Sequence, residues 1–169
     1  GWKMINKMKS NKGFSLVELI IVIAIMAVLI AVLAPQFLRY VERSRIQTDN
    51  TALSEIMRAM EIAASDEDVA AEVVAGGATG IPHTAAGAAG ANKVFTFGTA
   101  TDLETEVSNT VGGTVTLTSN TYTNAAAGPT VRAIWNTATG TVNIEVQNFF
   151  SEANGTLITA WTRADAIGN

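Results

Sequence analysis

Sixteen consecutive residues, Leu19 to Ala34, carry no polar side chain. Extended to Phe14–Leu38, the run spans twenty-five residues and is interrupted only by Ser15, Glu18, Pro35 and Gln36. At about 1.5 Å per residue, a helix of this length crosses the ~30 Å hydrocarbon core of a bilayer. Four lysines (Lys3, Lys7, Lys9, Lys12) precede the run and no lysine follows it directly. By the positive-inside rule this predicts a cytoplasmic N-terminus. A cleavable secretory signal has an apolar region of only about 7–15 residues ending in a small-x-small site. Here the run is longer and passes into a helical pattern, so it reads as a retained segment.

Two residues inside the run distinguish it from a plain tether. Glu18 is a carboxylate in an apolar segment, where a charge costs on the order of 2–3 kcal/mol near the bilayer centre and less near an interface. Such a residue points to function and to a cationic partner. Pro35 lacks the N–H that would bond the carbonyl of Ala31, which predicts a kink at about 3 kcal/mol.

The charges divide along the same line. Residues 1–13 hold +4 and the remainder −8, within a total of −4. An acidic body lacks the Lys/Arg surface that nucleic acid requires. With no cysteine and one histidine, His83, the chain has no thiolate or multi-histidine metal site. No Ser/His/Asp arrangement and no phosphate-binding glycine motif stands out, which argues against a membrane-anchored enzyme. No cofactor is expected.

Lys12-Gly13-Phe14-Ser15-Leu16-Val17-Glu18, directly before the apolar run, resembles the N-terminus of type IV prepilins and pseudopilins. The family pattern is a short basic leader ending in Gly, then Phe, then Glu four places later. Pro35 also falls where pilins commonly carry a proline, whereas Ala27 stands where many have glycine. The resemblance implies an uncleaved precursor, cut between Gly13 and Phe14 by prepilin peptidase and N-methylated at Phe14. Glu18 would then pair with the new Phe14 amine of a neighbouring subunit; the alternative for its carboxylate is a pairing with the N-terminus of its own helix. It further implies a homo-oligomeric helical filament and a pilus assembly platform as partner. The chain would be anchored in the cytoplasmic membrane first and become extracellular afterwards. A major pilin is the leading reading, and a type II secretion or competence pseudopilin is the runner-up. Gly1-Trp2-Lys3 opens the chain without Met, while Met4 and Met8 precede Gly13 at plausible leader lengths.

The expected fold is α+β. One long helix over 14–64 is transmembrane in its first half (14–38) and amphipathic beyond. Ile46, Leu53, Ile56, Met57, Met60, Ala63 and Ala64 form its apolar stripe; Arg43, Asp49, Asn50, Arg58 and Glu61 occupy the other faces. The head domain, 39–169, adds a short helix over 65–75 capped by Ser65, with Asp66, Glu67 and Asp68 in its first turn and Gly76-Gly77 at its end. Asp66 and Asp68 are read as capping residues, not as a calcium loop. Residues 76–92 read as an exposed loop with a solvated His83.

An antiparallel sheet of about four to five strands is expected over 93–169. Its candidates are Lys93–Phe97, Thr114–Thr118, Val131–Trp135, Val142–Val146 and, after a turn at Asn154-Gly155, Thr156–Trp161. Val142, Ile144 and Val146 face one way and Asn143, Glu145 and Gln147 the other. Trp135 and Trp161 are assigned to the core between helix and sheet.

Overall fold

The computed structural model describes residues 13–151 and 155–163. The expected leader residues 1–12, the Asn154 half of the last turn and the end of the sheet region, 164–169, lie outside them. The chain divides into two units, 1–39 and 40–169.

Helix α1 runs without interruption over Leu16–Ala63, with Pro35 inside it. The apolar run gives the first part no polar face, and every residue from 13 to 40 is exposed. Further along, apolar side chains recur every three or four residues, and the helix buries Ile46, Leu53, Ile56, Met57, Met60 and Ala63. These belong to one core cluster with Phe95, Leu117, Val131, Ile144, Val146 and Phe149.

Helix α2 spans Glu67–Ala75 and ends at Gly76. Its cap is Asp66, whose carboxylate accepts the Asp68 N–H at 2.9 Å. Ser65 donates its hydroxyl to the Glu61 carbonyl instead, because it still belongs to the last turn of α1. The capping role of the acidic cluster is thus correct, but the cap lies one residue later than expected.

The stretch 76–92 is not a featureless loop. A short 3₁₀ turn, Gly77–Thr79, leads into strand β1, Ile81–Thr84. β1 is an edge strand, where Pro82 needs no ladder donor. Gly80 has φ +68°, and a Cβ there would collide with the Ala133 carbonyl. Only glycine therefore lets the chain turn so closely against the sheet.

Strand β2 (Lys93–Thr96) pairs with β3 (Thr114–Leu117) as a separate two-stranded ribbon. Between them lies helix α3, Asp102–Val111, in a region expected to be sheet. Its Thr101 cap accepts the Glu104 N–H, and Gly112 closes it with φ +87°. A short helix α4, Asn120–Asn124, was likewise not anticipated.

The main sheet contains β1, β4 (Thr130–Asn136), β5 (Thr141–Gln147) and β8 (Thr162–Arg163), in the order β1-β4-β5-β8 and antiparallel throughout. β4 and β5 form the expected hairpin, with Ile144 and Val146 buried. β6 (Phe149–Phe150) and β7 (Leu157–Ile158) make another small ribbon. The expected strand Thr156–Trp161 is therefore two short pieces, β7 and β8. Trp135 packs partly buried against the core. Trp161 does not join it: its ring lies 3.8 Å from the Arg132 guanidinium, which is also bonded to Glu145 at 2.8 Å. The polar edge of the indole and a cation that must stay hydrated favour this stacked position over the interior.

Candidate processing and assembly segment

Ser15 and Glu18 build the start of α1. The Ser15 N–H donates to Glu18 Oε2 at 2.8 Å, and the Val17 N–H donates to Ser15 Oγ at 3.4 Å. This is a capping box: hydroxyl and carboxylate satisfy amides that the first helical turn leaves unpaired, and the carboxylate sits at the positive end of the helix dipole. Glu18 thus has a local role within the chain, and its other oxygen, Oε1, has no hydrogen bond among the described residues. Gly13 and Phe14 precede the helix, Phe14 is 93% exposed, and a side chain at Gly13 would meet nothing within 4 Å. The Gly13–Phe14 bond therefore lies in accessible, non-helical backbone just before the capped turn. Pro35, the expected kink, sits inside a helix that continues through it.

Beyond this point α1 is the one helix, among the described residues, long and apolar enough to cross a membrane. Its far flank is basic as well: Arg39, Arg43 and Arg45 follow the run. The positive-inside rule counts arginine with lysine. Four lysines against three arginines is a small bias, so flanking charge alone does not fix the orientation.

The second part of α1 carries bonded polar groups, and two of them, Asp49 and Asn50, expected on the faces away from the apolar stripe, are buried. Asp49 is 2% exposed and its carboxylate accepts the N–H groups of Thr118 and Ser119, the latter at 2.8 Å. Asn50 is 1% exposed; it donates to the Phe150 carbonyl at 2.9 Å and accepts the Tyr122 hydroxyl at 2.7 Å. The Tyr122 oxygen in turn accepts the Phe150 N–H. Glu42 accepts both the N–H and the hydroxyl of Thr121, each at 2.7 Å. These bonds tie the helix to the 118–122 segment that enters α4 and to the short strand β6, and burial without such partners would be costly.

Two further groups depart from expectation. Lys93 is fully buried, its ammonium donating to the carbonyls of Gly87 at 2.6 Å and Ala88 at 2.9 Å. His83 is largely buried, with Nδ1 3.7 Å from Glu104 and Nε2 without a hydrogen-bond partner among the described residues. Burial holds its pKa below the ordinary 6.5, against the opposing pull of Glu104 and Glu72. The contact to Glu104 is longer than a hydrogen bond, and desolvation prevails, so the imidazole is neutral near pH 7. Among the described residues, no group of three His, Asp or Glu side chains is arranged to hold a metal ion.

Comparison with known proteins points to the same segment. Residues 8–34 match the family described as "Prokaryotic N-terminal methylation motif". The chain is also similar to the type IV major fimbrial protein FimA of Dichelobacter nodosus, with 37% identity over 70 residues. That alignment covers 41% of this chain and 45% of the relative, so the chain spans less than half of the relative's length. No solved structure matches the chain.

Proposed function

We propose, from the premise that this chain carries a type IV prepilin N-terminus, that it is the structural subunit, specifically a major pilin, of a type IV pilus. The carrying observation is a helical segment, apolar on every face from Leu19 to Ala34 and exposed throughout, that follows directly on the Gly13/Phe14/Glu18 motif. Such a surface needs lipid or other copies of itself as solvent. Prepilin peptidase cuts after Gly13 on the cytoplasmic side, removes the lysine-rich leader and methylates Phe14. The head stands outside the membrane until the assembly platform lifts the helix into the filament. Lipid and helix bundle are similarly apolar, so the transfer itself costs little, and the role is structural rather than enzymatic. The likeness to a fimbrial protein supports a pilus over a secretion pseudopilus.

Cleavage creates an ammonium group at Phe14 that the precursor lacks. The unoccupied Oε1 of Glu18 is suited to accept it from a neighbouring copy, where low dielectric strengthens the attraction. Glu18→Gln separates this role from capping, since glutamine also serves in a capping box. Leader cleavage should stay intact while filament yield falls at least about tenfold, equivalent to ~1.4 kcal/mol per contact. Normal filaments from Glu18→Gln would remove the amine pairing from the account.

A further inference from the structure

The apolar run ends at Leu38, and the next seven residues of α1 hold Arg39, Tyr40, Arg43 and Arg45, all exposed. Tyr40 is 72% exposed although tyrosine has a large apolar ring. None of the three arginines has an ion-pair or hydrogen-bond partner among the described residues. The single acid in this stretch, Glu42, directs its Oε1 to the N–H and hydroxyl of Thr121 rather than to an arginine. Three guanidinium groups without an ion pair among the described residues, in a stretch that stays net basic with Glu42 counted, and an exposed tyrosine therefore follow a bilayer-length apolar helix directly. Tyrosine and arginine at such a boundary have one physical match: the layer where acyl chains meet phosphate.

We infer that Arg39, Arg43 and Arg45, with Tyr40 among them, form a basic collar that binds the phosphate groups of anionic lipids on the head side of the membrane. The inference rests on the membrane-anchored stage proposed above. Guanidinium presents a planar fork of donors that fits phosphate oxygens, and an ammonium would not match it in the same way. Removing the leader strips the four lysines from the opposite flank and leaves only the Phe14 amine there, so the collar becomes the main cluster of cationic side chains beside the apolar run. It fixes how deep the helix sits and keeps an acidic head, which anionic lipid repels, next to the surface. The assembly machinery then has to exchange these lipid contacts when it lifts the subunit out.

Solid-state NMR of the full chain tests this, with arginine labelled with carbon-13 at Cζ, in vesicles of equal parts phosphatidylglycerol and phosphatidylcholine. The Cζ signals of Arg39, Arg43 and Arg45 should lose intensity through coupling to lipid phosphorus-31, while Arg58, exposed further along α1, should not. Contact between the Phe14–Leu38 side chains and acyl-chain protons is recorded on the same sample. If acyl contact is present but phosphorus coupling is absent at the collar, the collar is overturned and the anchored stage stands. If coupling is equal at Arg58, the contact is unspecific and the collar is likewise overturned. Guanidinium contacts to carboxylates of a differently labelled copy, in place of phosphorus, assign the collar to subunit pairing and overturn the lipid reading. Without acyl contact, the membrane-anchored stage itself fails.

Discussion

The two parts of helix α1 have the same backbone conformation and opposite relations to the rest of the chain. Over residues 16–39 no side chain is buried. Over 46–63 nine residues are buried, two of them, Asp49 and Asn50, polar. Helix propensity does not separate the two parts; the distribution of polarity does. A helix apolar all round finds its stabilisation outside its own chain, whereas an amphipathic helix with a few buried polar groups is fixed in one register against one sheet. The first part leaves all its faces to its surroundings, and the second commits one face to the core.

Variants can break this contrast, and the largest effect should come from the second part. Asp49→Ala leaves the Thr118 and Ser119 amides without their acceptor in a buried site. We expect a loss of about 2–3 kcal/mol, read as a lower Tm of the full chain in detergent. An unchanged Tm would mean that the buried polar groups do not hold the helix.

A smaller effect concerns His83. Its folded-state pKa lies below 6.5, so the unfolded chain takes up the proton first. The stability present above pH 6.5 should decline as pH falls from 6.5 toward the folded pKa and level off below it. His83→Gln should remove that component, visible as a difference between the two Tm–pH curves. Parallel curves would show that the imidazole is not desolvated. The smallest effect belongs to the first part: Ile25, 55% exposed, should tolerate Ile25→Ala with a change in head stability below about 0.5 kcal/mol. A buried Ile would cost roughly 2–5 kcal/mol, and a drop of that size would erase the distinction between the two parts.

What could be read from the sequence follows the same division. The apolar run, the motif at Gly13, Phe14 and Glu18, and the β4–β5 hairpin all depend on near neighbours or a simple period, and the structure places the helix and hairpin close to where they were expected. Asp49 and Asn50 were misplaced because polarity was taken as a sign of exposure. Their partners, Thr118 and Phe150, are 69 and 100 residues away. Glycine and alanine dominate 76–92 and so suggest a loop, yet an edge strand accepts Pro82 and brings His83 within 3.7 Å of Glu104 in α3. The Thr101/Glu104/Gly112 cap signals could have located α3, but threonine-rich alternation on either side favoured strand. Arg39, Arg43 and Arg45 after Leu38 are as legible in the sequence as the four lysines, and they weaken the charge asymmetry that the lysines alone suggest.

The central claim concerns one peptide bond. Filaments sheared from cells that make this chain, digested and analysed by mass spectrometry, report the N-terminal peptide of the assembled subunit directly. The account predicts a peptide that begins at Phe14 and carries one N-methyl group, with no leader residue attached. A filament subunit beginning anywhere else, or still carrying Gly13, would contradict it.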